Sequence, residues 1–317
     1  MGAIPAVLPQ ERNDRFLPQE RSDVGGGVAG GDGGGEIPQS FVGRAAKFRA
    51  MESGYVPVGE TRIYYEDAGE GQALLFIHAG VADSRMWQGQ MGFDGYRTVS
   101  FDQRGFGKTG WVPGPYADRE DAIAVMDHLG IGSAVIVGCS LGGGIAMHVA
   151  LASPERVDAL VLVGAAARGW EPMDGWPESE LWDQVEAASE SGDLDTLVEL
   201  EARVWLAGHG RTLDDIEPAL IHLFLEMDLI PAATEKERSK YVEPFEPPVN
   251  GRLDEIAVPT LAVVGAHDQH DLIESAWYLA DRLSDRPPAI IQNSAHLPSL
   301  ERPTVFNQVL REFLTTI

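Results

Sequence analysis

The sequence predicts an α/β protein: a mostly parallel, doubly wound sheet interrupted by one inserted helical segment. Three observations predict it. Short apolar runs rich in β-branched residues recur along most of the chain, helix-length stretches separate most of them, and the alternation stops once, over 168–250. Such runs, bounded by turn signals, read as strands buried on both faces of a parallel sheet. Their alternation with helices implies right-handed crossovers.

Taken in order, "TRIYYEDAG" (61–69) alternates like a strand and ends in a turn. The buried runs are "ALLFI" (73–77), "RTVSF" (97–101), "SAVIV" (133–137), "ALVLV" (159–163), "TLAVV" (260–264) and "PAIIQ" (288–292). Helices are expected over 119–129, 142–152, 272–283 and 304–314. The segment 168–250 is mostly helical in pattern, contains Trp170, Trp176, Trp182 and Trp205, and holds twenty acidic against six basic side chains. Because sheet strands flank it, it reads as a helical cap inserted into a core made of 51–167 and 251–317. Its tryptophans pack the cap and, as a set, offer an apolar wall for a substrate. Residues 1–50 differ: "LPQERNDRF" is followed by the near-copy "LPQERSDVG" and then "GGGVAGGDGGG". Glycine at that density resists ordering, so the segment is expected to be a disordered extension, with Met51 a candidate natural start.

The chain has 317 residues and a net charge of −25. That balance argues against nucleic acid, whose phosphates need a basic face, and against an anionic membrane surface. It names no substrate, and a well-solvated surface accounts for it. A single cysteine, Cys139, rules out an internal disulfide and a cysteine-rich metal site. No stretch approaches the ~20 apolar residues of a membrane span, and no basic region followed by an apolar core opens the given sequence, so a secretory signal is not expected. A reducing, cytoplasmic setting is the default; oligomeric state is not readable.

The chemistry concentrates around "VGCSLGGG" (137–144). A dinucleotide fingerprint would need glycine where Ser140 stands, and "GFGKT" (105–109) lacks the upstream glycine of a phosphate loop, which is Asp102. Gly138-Cys139-Ser140-Leu141-Gly142 instead matches G-x-S-x-G between a strand and a helix, where a strained bend projects a nucleophilic hydroxyl above the sheet. Serine needs a base and an orienting acid. Asp268 follows the 260–264 strand and His296 follows the 288–292 strand, giving the chain order Ser140, Asp268, His296 at one carboxyl edge of the sheet. Asp271 is the alternative acid. Cys139 as nucleophile has the wrong neighbours two residues away. Oxyanion donors are expected from the backbone N–H of Leu141 and from the loop after 73–77, at Gly80. His78 reads as structural, and Asp102, Arg104 and Gly107 as locking a turn through charge-assisted hydrogen bonds. His267, Asp268, His270 and Asp271 crowd one short loop without a distant ligand, which fits a metal poorly.

"FIHAG", "FDQRGFGKT", "VGCSLGG" and the pair "GAHD … AHLPSLERP" together resemble the α/β-hydrolase superfamily across nearly all of 51–317, in the branch of 3-oxoadipate enol-lactonases, small esterases and cofactor-free haloperoxidases. The resemblance implies an α/β-hydrolase fold with nucleophile Ser140, acid Asp268, base His296 and oxyanion donors Gly80 and Leu141, without cofactor or metal. Two departures are Ala79, where the family more often has glycine, and Cys139, where it often has histidine. The expected activity is hydrolysis of a small carboxylic ester or lactone through an acyl-enzyme. C–C bond hydrolysis or perhydrolysis by the same three residues, and a non-catalytic small-molecule binder, are the alternatives.

Overall fold

The computed structural model describes residues 51–173, 175 and 179–317; the glycine-rich extension 1–50 and Trp176 lie outside them. Eight strands form one sheet in the order β1-β2-β4-β3-β5-β6-β7-β8. They are β1 (Glu52–Val58), β2 (Thr61–Gly69), β3 (Gln72–Ile77), β4 (Tyr96–Phe101), β5 (Ala134–Cys139), β6 (Val157–Val163), β7 (Thr260–Gly265) and β8 (Ala289–Ile291). Pairing is parallel from β4 through β8, while β1 and β2 form an antiparallel edge. The sheet is therefore mostly parallel, as the buried runs imply.

The strand β1 is absent from the sequence-based expectation, for a physical reason. Only Val56 of "ESGYVPV" is buried, and Pro57 removes a ladder donor, which an edge strand tolerates. The run therefore carries neither a continuous apolar signal nor clean alternation. The central strands are legible because both of their faces are covered. Leu75 and Ile77 of β3 join one core layer, with Val125, Ile145 and Leu279, while Leu74 and Phe76 join the other, with Trp87, Phe306 and Phe313. The first layer is supplied by α1 (Asp118–His128), α2 (Leu141–Ala152) and α6 (His270–Leu283), the second largely by α8 (Pro303–Leu314). Each fully buried side chain of this kind contributes about 1.5–3 kcal/mol against exposure.

Between β6 and β7 the chain leaves the sheet as a helical insertion: α3 (Glu180–Ser191), α4 (Leu194–Glu201), a π-helical turn Ala202–Ala207 and α5 (Pro218–Arg238). Gly192 ends α3 at φ 75° and the Asp193 side chain caps α4, so the two helices form a tight hairpin. Val185, Ala188, Leu197, Leu200 and Val204 give it an apolar centre of its own. The short helix Pro298–Glu301, here α7, completes the set.

One polar contact inside the insertion has a stability cost. Asp228 on α5 is 1 % exposed, its Oδ2 has no hydrogen-bond partner, and its carboxyl bonds to that of Glu201 at the end of α4. Burial, and then the Glu201 charge, push the Asp228 carboxyl well above the usual carboxylate range, with Glu235 adding to the repulsion. Burial thus favours the protonated form of the Asp228 carboxyl in the folded state. A carboxyl raised in the folded state costs nothing at acid pH and progressively more as pH climbs from the ordinary carboxylate range through the raised value. Asp228→Asn, which keeps the shape and a donor, should unfold at a higher temperature than wild type at neutral to alkaline pH. The gap should close as the pH falls towards 4, by about 2–4 °C per kcal/mol relieved. Thermal melts of both proteins across that range check this.

Candidate active site

Ser140 stands where β5 turns into α2, at φ 52° and ψ −114°. A non-glycine residue in this region costs of order 1–3 kcal/mol and persists only when its surroundings enforce it. The surroundings here do so. The Ser140 N–H donates to the Val163 carbonyl at 2.8 Å, and its own carbonyl accepts from Gly143 and Gly144 at 2.9 and 3.1 Å. A Cβ at Gly138 would overlap the Gly142 carbonyl, and one at Gly142 would overlap the Ile77 carbonyl at the end of β3, so β5 meets α2, and α2 meets β3, only because these residues lack side chains. Gly143 packs on the Ala165 Cβ in the same way, whereas Gly144 has nothing within 4 Å. The triple glycine thus holds two spatial requirements and one position with room to spare.

The C-terminal ends of β7 and β8 deliver the other two residues. His296 Nδ1 lies 3.1 Å from both Asp268 oxygens, and both side chains are buried. That geometry places a proton on Nδ1 and leaves Nε2 as the free face of the ring. Asp268 Oδ1 also accepts from the Gln269 N–H at 2.8 Å. The structure brings Asp268 and His296 into direct contact. It draws no hydrogen bond from Ser140 Oγ to either. The connection is one residue removed: Gly164, next to the Val163 that holds the Ser140 N–H, lies against the pair at φ 51°. A Cβ there would stand 3.0 Å from both Asp268 Oδ2 and His296 Nδ1. Asp271, the alternative acid, starts the first turn of α6 without pairing to His296, and burial raises its carboxyl.

Gly80 and Leu141 are neighbours across the opening, with a Gly80 Cβ falling 3.8 Å from the Leu141 side chain. Neither backbone N–H donates to a protein acceptor among the described residues. Leu141 opens the twelve-residue helix α2, whose N-terminus favours negative charge. The Gly80 loop is fixed by His78, fully buried and held below its usual protonation range by desolvation. Its Nδ1 is 2.8 Å from the Ala79 carbonyl and its Nε2 accepts the Gln103 N–H at 3.0 Å. His78 is thus a neutral brace between the loops after β3 and β4. Ala79 is fully buried, with its N–H on Met86 Sδ, so its methyl group faces the core.

The neighbouring loop behaves as expected in part. Asp102 accepts from the N–H groups of Ser84 and Lys108 at 2.8 and 2.7 Å, and Gly107, at φ 47°, has no space for a Cβ beside that carboxylate. Arg104, however, does not lock the turn. It makes a two-pronged bond to Asp121 of α1 at 2.6 and 2.7 Å, tying the loop to a helix instead. Cys139 is buried with Sγ 3.4 Å from the His296 carbonyl, and burial raises its thiol well above the usual range, so it is protonated and unreactive. His267 and His270 face His209 of the insertion and not a common centre; among the described residues no three His, Cys, Asp or Glu side chains form a metal-holding group.

Two contributors escaped the sequence. Gly164 is one glycine after one strand, and nothing in its neighbours marks what it faces. Trp205 stood out only as a cap aromatic, yet its ring centroid is 4.5 Å from that of His296, and Trp182 meets it edge-on at 5.3 Å. No helix among the described residues is long and apolar enough to cross a membrane.

A family model described as "alpha/beta hydrolase fold" matches residues 72–211. A non-heme haloperoxidase of Rhodococcus erythropolis is 31% identical over 66% of this chain and 79% of its own. The 3-oxoadipate enol-lactonase 2 of Acinetobacter baylyi is 26% identical over 75% of this chain and 86% of its own. Among solved structures, Est816, described as an N-acyl homoserine lactone degrading enzyme, aligns with a TM-score of 0.67 at 25% identity, over 82% of this chain and 100% of its own. With the strained serine between β5 and α2, the buried His–Asp pair beyond β7 and β8 and these relatives, the chain belongs to the α/β-hydrolase superfamily.

Proposed function

We propose that the protein is a serine hydrolase that cleaves a small carboxylic ester or lactone through an acyl-enzyme intermediate. The observation that carries the reading is the enforced left-handed bend at Ser140 beside the buried His296–Asp268 pair. Backbone strain at a nucleophile, with a base whose far nitrogen is already held by a carboxylate, is the arrangement acyl transfer requires. Ser140 Oγ attacks the substrate carbonyl carbon as its proton passes to His296 Nε2. Asp268 holds the imidazole orientation and stabilises the cation. The N–H groups of Gly80 and Leu141 receive the oxyanion. The C–O bond then breaks and His296 protonates the departing alkoxide. Water, deprotonated by the same nitrogen, attacks the acyl-enzyme and releases the carboxylic acid and Ser140.

The relatives described as an enol-lactonase and as an N-acyl homoserine lactone degrading enzyme support ester and lactone substrates. The haloperoxidase, at 31% identity, supports a second reading in which hydrogen peroxide replaces water in the second half-reaction and releases a peracid. The two differ only in the acceptor of the acyl group, so one panel separates them: esters, enol-lactones and a dienone in water, and acetate with peroxide.

A fluorophosphonate should label the wild-type protein on the peptide containing Ser140, and Ser140→Ala should lose both the labelling and p-nitrophenyl acetate hydrolysis. Undiminished turnover by that variant would overturn the assignment. Asp268→Asn should lower kcat by about 10³–10⁴-fold while the protein remains folded. Gly164→Ala forces a methyl against the pair and a side chain into φ 51°. It should reduce kcat tenfold or more, since misplacement of about 1 Å costs up to ~10²-fold, with little change in KM; steady-state kinetics reads the split.

A further inference from the structure

The π-helical turn Ala202–Ala207 is the C-terminal end of a helix, and such an end leaves its last four carbonyls without helical partners. Here all four are taken up by groups at or near the site. The Val204 carbonyl accepts from Gln269 Nε2 at 2.9 Å, beside Asp268. The Trp205 carbonyl accepts the backbone N–H of His296 at 3.1 Å. The Leu206 and Ala207 carbonyls accept from Arg211 at 2.9 and 2.8 Å. Arg211 in turn pairs with Glu301 at 2.9 Å, both side chains largely buried, and Glu301 accepts the Ala295 N–H at 2.8 Å, one residue before His296. The loop carrying the imidazole follows a strand of only three residues, β8, so the sheet alone grips it weakly. Gly208, at φ 71° with no room for a Cβ beside the His267 carbonyl, lets the turn approach this closely. π-turns of this kind concentrate where a helix is locally re-aimed for function.

We propose that the end of this inserted helix is the seat of the base: Trp205 is a positioning residue that holds His296 by its carbonyl and by the indole over the imidazole, and the Arg211–Glu301 pair pins that seat. Proton transfer between Ser140 and His296 then depends on the insertion being docked on the core. The proposal rests on the serine-hydrolase reading above and adds to it a residue outside the three reacting groups.

The test compares wild type with Trp205→Ala, Trp205→Phe and Arg211→Lys, measuring kcat and KM for p-nitrophenyl acetate, the rate of fluorophosphonate labelling and the melting temperature. A misplaced base slows proton transfer without altering substrate contacts. Trp205→Ala and Arg211→Lys should therefore lose about 10–100-fold in kcat and in labelling rate together, with KM within about twofold. Trp205→Phe, which keeps an aromatic face over the imidazole, should recover to within about threefold of wild type. A wild-type kcat in Trp205→Ala and Arg211→Lys, or a change confined to KM, overturns the seat. If Trp205→Ala does not fold, Arg211→Lys decides alone by the same criteria. Wild type that is labelled at Ser140 with variants that match it removes only this inference, whereas wild type that is neither labelled nor active removes the hydrolase reading with it.

Discussion

Ser140 is held at a backbone angle that serine does not choose, and the closeness of β5 to α2 is what holds it there. That packing depends on two missing side chains. Gly138 meets the Gly142 carbonyl and Gly142 meets the Ile77 carbonyl, so a single methyl at the first would wedge α2 from β5 and at the second would wedge it from the neighbouring β3. With the wedge absent, α2 begins directly after Ser140, and the Gly80 loop lies against Leu141, its first residue. On the proposed reading, the hydroxyl that would attack and the N–H groups that would receive the oxyanion are both fixed by this packing, so neither has to be ordered when a substrate arrives.

The parallel sheet turns distant sequence positions into neighbours. The ends of β3, β5, β7 and β8 lie at one edge, which puts Gly80, Ser140, Asp268 and His296 at a common face although 216 residues separate the first from the last. Strand β6 contributes none of these residues to that edge. Its end supplies the carbonyl that holds the Ser140 N–H and the glycine that leaves room for the His–Asp pair. Burial sets the state of polar groups around the fold: it lowers His78, which braces two loops, and raises the Cys139 thiol at the end of β5 and the Asp228 carboxyl on α5. In each, desolvation is the largest cause. Burial therefore sets the charge pattern around the site more than the strongly acidic surface does.

The core strands and helices were legible because their burial is two-sided and their periodicity is local. The short runs at 73–77, 97–101 and 260–264 each fall within a strand of the sheet, and the helices at 119–129 and 304–314 lie within a residue or so of α1 and α8. The edge strand β1 was not legible, because one buried valine and a proline carry no pattern. At the site, chain order and position after strands singled out Ser140, Asp268 and His296, and the structure joins the last two directly. Arg104 was misassigned to its own turn because a guanidinium reaches as far as a helix whose position the sequence does not give.

The sequence by itself determined the alternation of strand and helix, the interruption by a helical insertion, and that Ser140, Asp268 and His296 stand at strand ends; these follow from local hydrophobic period and from residue identity. Only the tertiary structure decided that Asp268 and not Asp271 meets His296, that Gly164 makes the room for that pair, that Gly144 is free to be otherwise, and that Trp205 and Arg211 of the insertion reach the histidine loop. Each of these is a contact between segments brought together by packing, and the distance between two such segments is a property of the folded chain that no local pattern of residues encodes.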